Sequence, residues 1–132
     1  MGLEQQDILR YTRQLPVIGL QGQQRLKKSK VLCIGVGGLG CPVLQYLTAA
    51  GVGVLGLVDG DTVEINNLQR QVLFTEHDIS SNKAIAAAAR LRAMNSRISI
   101  EPIAQFLDEN NAESIITSYD IVIDATDNFV AR

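Results

Sequence analysis

The sequence predicts an α/β fold built on a parallel β-sheet. Two observations support this prediction: short apolar runs recur along the chain, and segments with helical spacing separate them. In alternations of this kind, right-handed crossover connections make neighbouring strands parallel. A chain of 132 residues that is 46% hydrophobic and 20% charged also has the composition of one folded domain.

The chain is expected to begin with a helical arm. Residues 3–14 have the spacing of a weakly amphipathic helix, and Pro16 interrupts it. A second short helix is predicted from about Leu20 to Ser29. We therefore divide the chain into an N-terminal arm, residues 1–29, and a sheet domain, residues 30–132.

Four strands and three helices are predicted after the arm. Val31–Ile34 is a continuous apolar run, which is typical of a strand buried on both faces, and Pro102 puts the third strand near a sheet edge. The resulting β-α-β-α-β-α-β order is the mononucleotide-binding half of a doubly wound, Rossmann-like fold. The predicted strands are 31–34, 54–58, 98–103 and 121–123, and the predicted helices are 39–50, 82–95 and 111–119.

The end of the sequence suggests a fold that is cut short. Arg132 follows Asp124 by only eight residues, so no helix covers that side of the sheet after the fourth strand. We therefore expect the sheet domain to be incomplete, a fragment of a longer enzyme.

A glycine-rich loop between the first strand and the next helix predicts a nucleotide site. Gly35, Gly37 and Gly40 form a GxGxxG pattern, with Gly38 inside it. Glycines there let the backbone approach a phosphate, and the helix N-terminus presents free N–H groups. Asp59 ends the second strand 19 residues after Gly40, where a carboxylate reaches ribose hydroxyls. The alternative is a loop whose glycines serve only tight packing.

The loop after Asp59 favours phosphate chemistry over hydride transfer. Asn66 and Arg70 lie four residues apart, and Lys83 follows at the first turn of the alanine-rich helix. A guanidinium is a planar fork of donors that neutralises charge on phosphoryl oxygens, and a helix N-terminus favours anions. Taken singly, either Arg70 or Lys83 is better explained as a solvated surface charge, because most charged residues are exposed.

Polar residues also follow the fourth strand, at the carboxyl edge of the sheet. Asp124, Asp127 and Asn128 lie where open α/β folds bind ligands. A carboxylate at this edge suits Mg²⁺ bound to nucleotide phosphates. Ordinary turn capping is the alternative explanation.

Composition argues against several classes of protein and of partner. The formal net charge of −2 gives no long-range attraction to nucleic acid or to anionic membranes. The uncharged stretch 31–58 contains seven glycines and Pro42, which break it into pieces too short to cross a membrane. A disulfide between Cys33 and Cys41 would close no long loop. The N-terminus carries no targeting signal. A reducing cytoplasmic location is therefore expected.

Several of these segments occur together, in order, in one known family. They are Arg10-Tyr11-Thr12-Arg13-Gln14, Gly35–Gly40 followed by Cys41-Pro42, Asp59-Gly60-Asp61, Asn66–Gln71, Lys83-Ala84, and Thr126-Asp127-Asn128 with Arg132. In these motifs the sequence resembles the ThiF/MoeB/HesA family, bacterial relatives of the ubiquitin-activating enzymes. The resemblance extends over the whole chain.

The resemblance implies an ATP-dependent adenylyltransferase. Such enzymes use ATP and Mg²⁺ to adenylate the C-terminal glycine of a ubiquitin-like sulfur-carrier protein, in molybdopterin or thiamine biosynthesis. It further implies a homodimer. The implied roles are phosphate contact for Gly38, Asn66 and Arg70, ribose binding for Asp59, transition-state stabilisation for Lys83, nucleotide and Mg²⁺ binding for Asp127 beside Asn128, and action across the dimer for Arg13.

The sequence departs from the family in one respect and leaves two other functions open. Full-length relatives usually carry two Cys-x-x-Cys pairs for zinc, and many have a cysteine in a crossover loop after the Asp127 motif. This sequence has neither, and neither Cys33 nor Cys41 matches that later cysteine. His77, the sole histidine, is interpreted as a loop residue. The alternatives are a catalytically inert nucleotide-binding or dimerisation module and an NAD-dependent oxidoreductase domain.

Overall fold

The structure, a computed structural model, describes residues 2–126 and contains a four-stranded parallel sheet with helices packed on it. The predicted Rossmann-like α/β class is therefore confirmed. The strands are β1 (Lys30–Ile34), β2 (Val54–Val58), β3 (Ser99–Ile103) and β4 (Ile121–Asp124). The helices are α1 (Gln5–Arg10), α2 (Leu15–Lys28), α3 (Gly40–Ala50), α4 (Lys83–Met94) and α5 (Ala112–Ile116).

The strand order in the sheet is β3-β2-β1-β4. Both neighbours of β1 are parallel to it: Ile34 pairs with Val58 of β2 and with Asp124 of β4. All four carboxyl ends therefore meet at one edge of the sheet. As Pro102 predicted, β3 is an edge strand.

Successive side chains of β1 point to opposite faces of the sheet and belong to two hydrophobic clusters. Val31 and Cys33 belong to the larger cluster, which α3 and α4 cover, whereas Leu32 and Ile34 face the smaller one, near α5. Leu32 is completely buried, and burial of a leucine stabilises a fold by about 1.5–3 kcal/mol. The apolar run Val31–Ile34 is thus buried on both faces, as its sequence indicated.

The predicted bounds of the arm helices are wrong. The first helix ends at Arg10, and the second begins at Leu15, five residues before the predicted start. Pro16 lies in the first turn of α2, where no N–H is needed, so it starts a helix instead of merely ending one. Gly19 has φ 72°, and it kinks α2 where the sequence prediction placed the helix start.

Buried polar contacts attach the arm to the sheet domain. Asp7, which is 2% exposed, accepts a hydrogen bond from Arg97 Nε at 3.0 Å and pairs with Lys27 Nζ at 3.0 Å. Asn95 Nδ2 donates to the hydroxyl of Tyr11 at 2.9 Å. These contacts join α1 and the following turn to residues after α4.

The remaining predicted elements are present with shifted ends. The helix predicted over 111–119 is only Ala112–Ile116, and His77 is exposed in a short 3₁₀ turn, Glu76–Asp78. Among residues 2–126, no helix combines the length and apolar character needed to cross a bilayer.

Candidate functional site

An open cleft of about 520 Å³ lies at the carboxyl edge of the sheet. Its walls come from the loops that follow each of the four strands, as expected for an open parallel sheet. Six of the residues predicted to bind nucleotide line it: Gly35, Gly37, Gly38, Asp59, Arg70 and Lys83. Residues far apart in sequence are thereby brought to one surface.

The glycines of the loop after β1 fall into two groups. Gly35 has φ 98°, and a Cβ there would lie 3.1 Å from the carbonyl oxygen of Ala125. A Cβ on Gly40 would overlap the carbonyl oxygen of Gly35, so Gly40 packs behind the cleft and does not line it. Gly38 is open, since the atom nearest to a Cβ there is Arg70 Cδ at 3.6 Å. Close packing at Gly35 and Gly40 thus fixes the loop, and its open surface toward the cleft is at Gly37 and Gly38.

Asp59 joins the first two loops. Its Oδ2 accepts the N–H of Val36 at 2.8 Å, and its Oδ1 accepts the N–H of Asp61 at 2.8 Å. A carboxylate oxygen accepts more than one hydrogen bond. Asp59 therefore holds the glycine loop in place and retains acceptor capacity toward the cleft.

Lys83 is a nearly buried cation that lines the cleft. It is 8% exposed and begins α4, where Asn82 Oδ1 accepts the N–H of Ile85 as the helix cap. Within residues 2–126 its ammonium forms no ion pair with a carboxylate. A buried charge is costly unless an opposite charge accompanies it. The position of Lys83 thus favours an anion in the cleft.

Arg70 and Asn66 lie on the outer wall of the site. The Arg70 side chain covers Gly38, and its Nη1 donates to the carbonyl oxygen of Asn66 at 3.2 Å. Asn66 itself is exposed and is not among the residues that line the cleft, whereas its neighbour Asn67 is 8% exposed and lines it. The 3₁₀ turn Ile65–Asn67 directs one asparagine inward and the other outward.

Three predicted site residues remain: Arg13, Asp127 and Asn128. Arg13 is exposed in the turn between α1 and α2 and does not line the cleft. Asp127 and Asn128 lie outside the described residues. Over residues 2–126, no group of three or more His, Cys, Asp or Glu side chains is suited to hold a metal ion.

The two cysteines are structural in character. Both are fully buried, and burial raises the pKa of the Cys41 thiol to about 11, although nearby Lys83 acts in the opposite direction. Burial raises the pKa of Cys33 as well. Both thiols therefore stay protonated at neutral pH, and neither has the depressed pKa of a nucleophile.

Several residues that line the cleft were missed by the sequence interpretation, Gln71 and Phe106 among them. Gln71 is 3% exposed, and its Oε1 finds no hydrogen-bond partner within residues 2–126. Phe106 is 63% exposed and follows β3. Nothing in the sequence distinguishes Gln71 from the polar residues around it, while an apolar Phe106 in a polar loop was a signal that could have been used.

The family can now be assigned. A family model described as ThiF matches residues 11–132. The chain belongs to the ThiF family. One relative of this ThiF-family chain is the sulfur carrier protein adenylyltransferase of Thermus thermophilus, 49% identical over 96% of this chain and 48% of its own length. Another is the adenylyltransferase and sulfurtransferase MOCS3 of Sus scrofa, 52% identical over 98% of this chain and 29% of its own length.

Solved structures agree with this assignment. The tRNA N6-threonylcarbamoyladenosine dehydratase TcdA of E. coli, in complex with ATP, has a TM-score of 0.90 at 25% identity over 97% of this chain and 53% of that one. E. coli MccB with ATP has a TM-score of 0.81 at 33% identity over 91% of this chain and 37% of that one. This ThiF-family chain spans about half the length, or less, of the relatives and structures that it resembles.

Proposed function

We propose that this chain is the ATP-binding part of an enzyme that adenylates the C-terminal glycine of a ubiquitin-like sulfur-carrier protein. The observation that carries the proposal is Lys83, a nearly buried cation that lines the cleft with no carboxylate partner in residues 2–126. The open glycines and Arg70 lie along the same cleft. Together they suit a polyphosphate better than a neutral ligand.

Different residues of the cleft bind the phosphates and the ribose of the nucleotide. Phosphate oxygens lie against Gly37 and Gly38, Arg70 and Lys83 neutralise their charge, and Asp59 accepts hydrogen bonds from the ribose hydroxyls. ATP supplies the adenylyl group for the carrier's terminal carboxylate. Charge that develops on phosphoryl oxygens is stabilised by fixed cations, so Arg70 and Lys83 act in the chemical step as well as in binding.

Further parts of the proposal rest on the family motifs. Asp127, beside Asn128, is proposed to hold Mg²⁺ on the phosphates, as the preference of that ion for carboxylate oxygen suggests. Arg13 is proposed to act in the site of a second subunit of a homodimer, which accords with its exposure and its absence from this chain's own cleft. Residues 1–29 then serve as the arm that carries Arg13. Molybdopterin and thiamine biosynthesis both remain candidate pathways.

Nucleotide binding by matched lysine variants tests the proposal. Lys83→Met should weaken ATP binding by about 1.5–3 kcal/mol, the scale of a hydrogen bond to a charged group. Lys28→Met, which removes an exposed lysine at the end of α2, should leave it unchanged. Calorimetry with Mg²⁺ gives both dissociation constants.

The same titration separates the rival functions. NAD⁺ should bind the unsubstituted chain more weakly than ATP, because a dinucleotide carries no terminal phosphates for Arg70 and Lys83. Equal or tighter binding of NAD⁺ would instead support an oxidoreductase domain. If neither nucleotide binds, the proposed function is wrong for this chain.

A further inference from the structure

The cleft extends past Asp59 to the loop that follows β3. Gln105, Phe106 and Leu107 line this end of it. Phe106 is 63% exposed, so much of its ring is open to contact. Its ring nevertheless has a defined place, against the backbone of Gly60.

The contact of the Phe106 ring with Gly60 is possible because glycine has no side chain. A Cβ on Gly60 would lie 2.6 Å from Phe106 Cγ, which no real side chain tolerates. The ring therefore packs directly on the loop that follows Asp59. One side of the ring is supported by protein, and the ring also borders the open cleft.

The backbone of Phe106 is fixed as well. Asn111 Nδ2 donates to the carbonyl oxygen of Phe106 at 2.9 Å and to Gln105 Oε1 at 3.2 Å. Asn111 Oδ1 accepts the N–H of Asp108 at 2.8 Å. One side chain thus closes the loop between β3 and α5 and fixes the backbone from which the Phe106 ring projects.

The strand order indicates which part of a bound nucleotide would contact the Phe106 ring. The glycine loop follows β1, Asp59 follows β2, and Phe106 follows β3, while the sheet order is β3-β2-β1-β4. With phosphates over β1 and ribose over β2, the next group outward along the nucleotide is the base. It arrives over β3, where Phe106 lies.

We propose that Phe106 is the platform on which the base of the bound nucleotide stacks. This inference rests on the proposed function, since it takes the phosphate and ribose positions from it. Aromatic rings and bases stack face to face, and truncating such a ring to alanine costs binding for any base with a π-face. Phe106 accordingly contributes affinity for the base and none for the triphosphate.

Two ligands that differ only in the base provide the test. Phe106→Ala should raise the dissociation constant of ATP about tenfold, within the range known for loss of a base–aromatic stack. The same substitution should leave binding of ribose 5-triphosphate, which has no base, within about twofold. Phe106→Trp, which keeps a flat ring, should retain ATP affinity. Tyr46→Ala is the matched control, because Tyr46 is an aromatic residue of α3 that is 78% exposed and does not line the cleft.

The outcomes distinguish this inference from the proposed function. If the unsubstituted chain binds ATP and Phe106→Ala does not weaken it, the stacking role is wrong and the phosphate site stands. Equal weakening of ATP and ribose 5-triphosphate would show that Phe106 only supports the loop, which also overturns the inference. Failure of the unsubstituted chain to bind either ligand contradicts the proposed function itself.

Discussion

At the scale of single residues, the glycines of the loop after β1 have different tasks. Gly40 leaves no space for a side chain, because a Cβ would overlap the carbonyl oxygen of Gly35. Gly38 faces the cleft, where only the flexible side chain of Arg70 is near. One motif thus contains a glycine that the packing of the loop requires and a glycine that borders the open cleft.

Alanine substitution should separate these two tasks. Gly40→Ala should destabilise the fold by several kcal/mol, because the rigid backbone of Gly35 must move, whereas Gly38→Ala should change the free energy of unfolding by less than about 0.5 kcal/mol. Gly38→Ala should still weaken ATP binding, since its methyl group occupies the phosphate surface. Denaturant unfolding and calorimetry on both variants measure this. Equal loss of stability in the two variants would contradict the division of tasks.

At the scale of elements, a buried carboxylate, Asp7, is one of the groups that attach the arm to the sheet domain. Hydrogen bonding from Arg97, assisted by the Glu4 N–H and by Lys27, holds the pKa of Asp7 well below its usual range, although desolvation acts in the opposite direction. An Asp with a lowered folded-state pKa stabilises the fold above its unfolded-state value of about 3.9. This stabilisation is lost as the pH falls through the folded-state pKa. The arm is therefore expected to be acid-sensitive.

Neutralising Asp7 should reveal this dependence. Asp7→Asn should cost about 1–3 kcal/mol at pH 7, the scale of hydrogen bonds to charged groups. Its deficit relative to the unsubstituted chain should shrink steadily below about pH 4, because Asp7 then takes up a proton in the unfolded chain while it stays ionised in the folded protein. Thermal unfolding of both proteins from pH 7 to pH 2.5 measures the loss of stability at pH 7 and its change with pH. Glu4→Gln is the control: the Glu4 side chain is 69% exposed in its pair with Arg97, so its loss should cost less than about 1 kcal/mol. A deficit that does not change with pH would contradict the role given to Asp7.

At the scale of the whole molecule, the sheet carries apolar surface at one side. β4 is the last strand in the order, and its Ile121 and Val122 are 54% and 38% exposed. The arm adds Leu9 and Val17, 77% and 84% exposed. Exposed apolar surface of this kind favours association.

The chain should therefore be a dimer or a larger assembly in solution. Sedimentation velocity across a hundredfold range of concentration should show the sedimentation coefficient rising to that of an assembly at micromolar levels. Val17→Asp, which puts a charge on the exposed face of α2, should shift the equilibrium toward monomer. A monomer that shows no dependence on concentration contradicts the homodimer and the action of Arg13 across it.

We also expect the 132-residue chain to bind ATP without completing adenylation. The reaction requires the carrier's tail to be held in line with the α-phosphorus, and positioning of this sort accounts for about 7–11 kcal/mol of a barrier. The chain spans only part of the length of its relatives, and we assign the grip on the carrier to the rest of such an enzyme. ATP–pyrophosphate exchange with a sulfur carrier tests this, with a full-length relative as reference. Exchange at the reference rate would show that residues 1–132 suffice.

The sequence by itself determined the fold class and six of the residues that line the candidate site. The apolar runs and the helical spacing between them predict the alternation of strands and helices, because burial on a sheet requires that pattern. The glycine loop and Asp59 follow β1 and β2, and parallel pairing brings such positions to one edge whatever the packing details. Gly35, Gly37, Gly38, Asp59, Arg70 and Lys83 could be named without a structure for this reason.

Tertiary structure alone decided the orientation and burial of individual side chains. The 3₁₀ turn directs Asn67 into the cleft and Asn66 away from it. Lys83 is only 8% exposed although it begins a helix, and no local pattern encodes that burial. The place of Phe106 depends on a contact with Gly60 across two different loops. Local sequence fixes elements because their hydrogen bonds are local. The surroundings of a side chain depend on residues distant along the chain, so they appear only when the chain has folded.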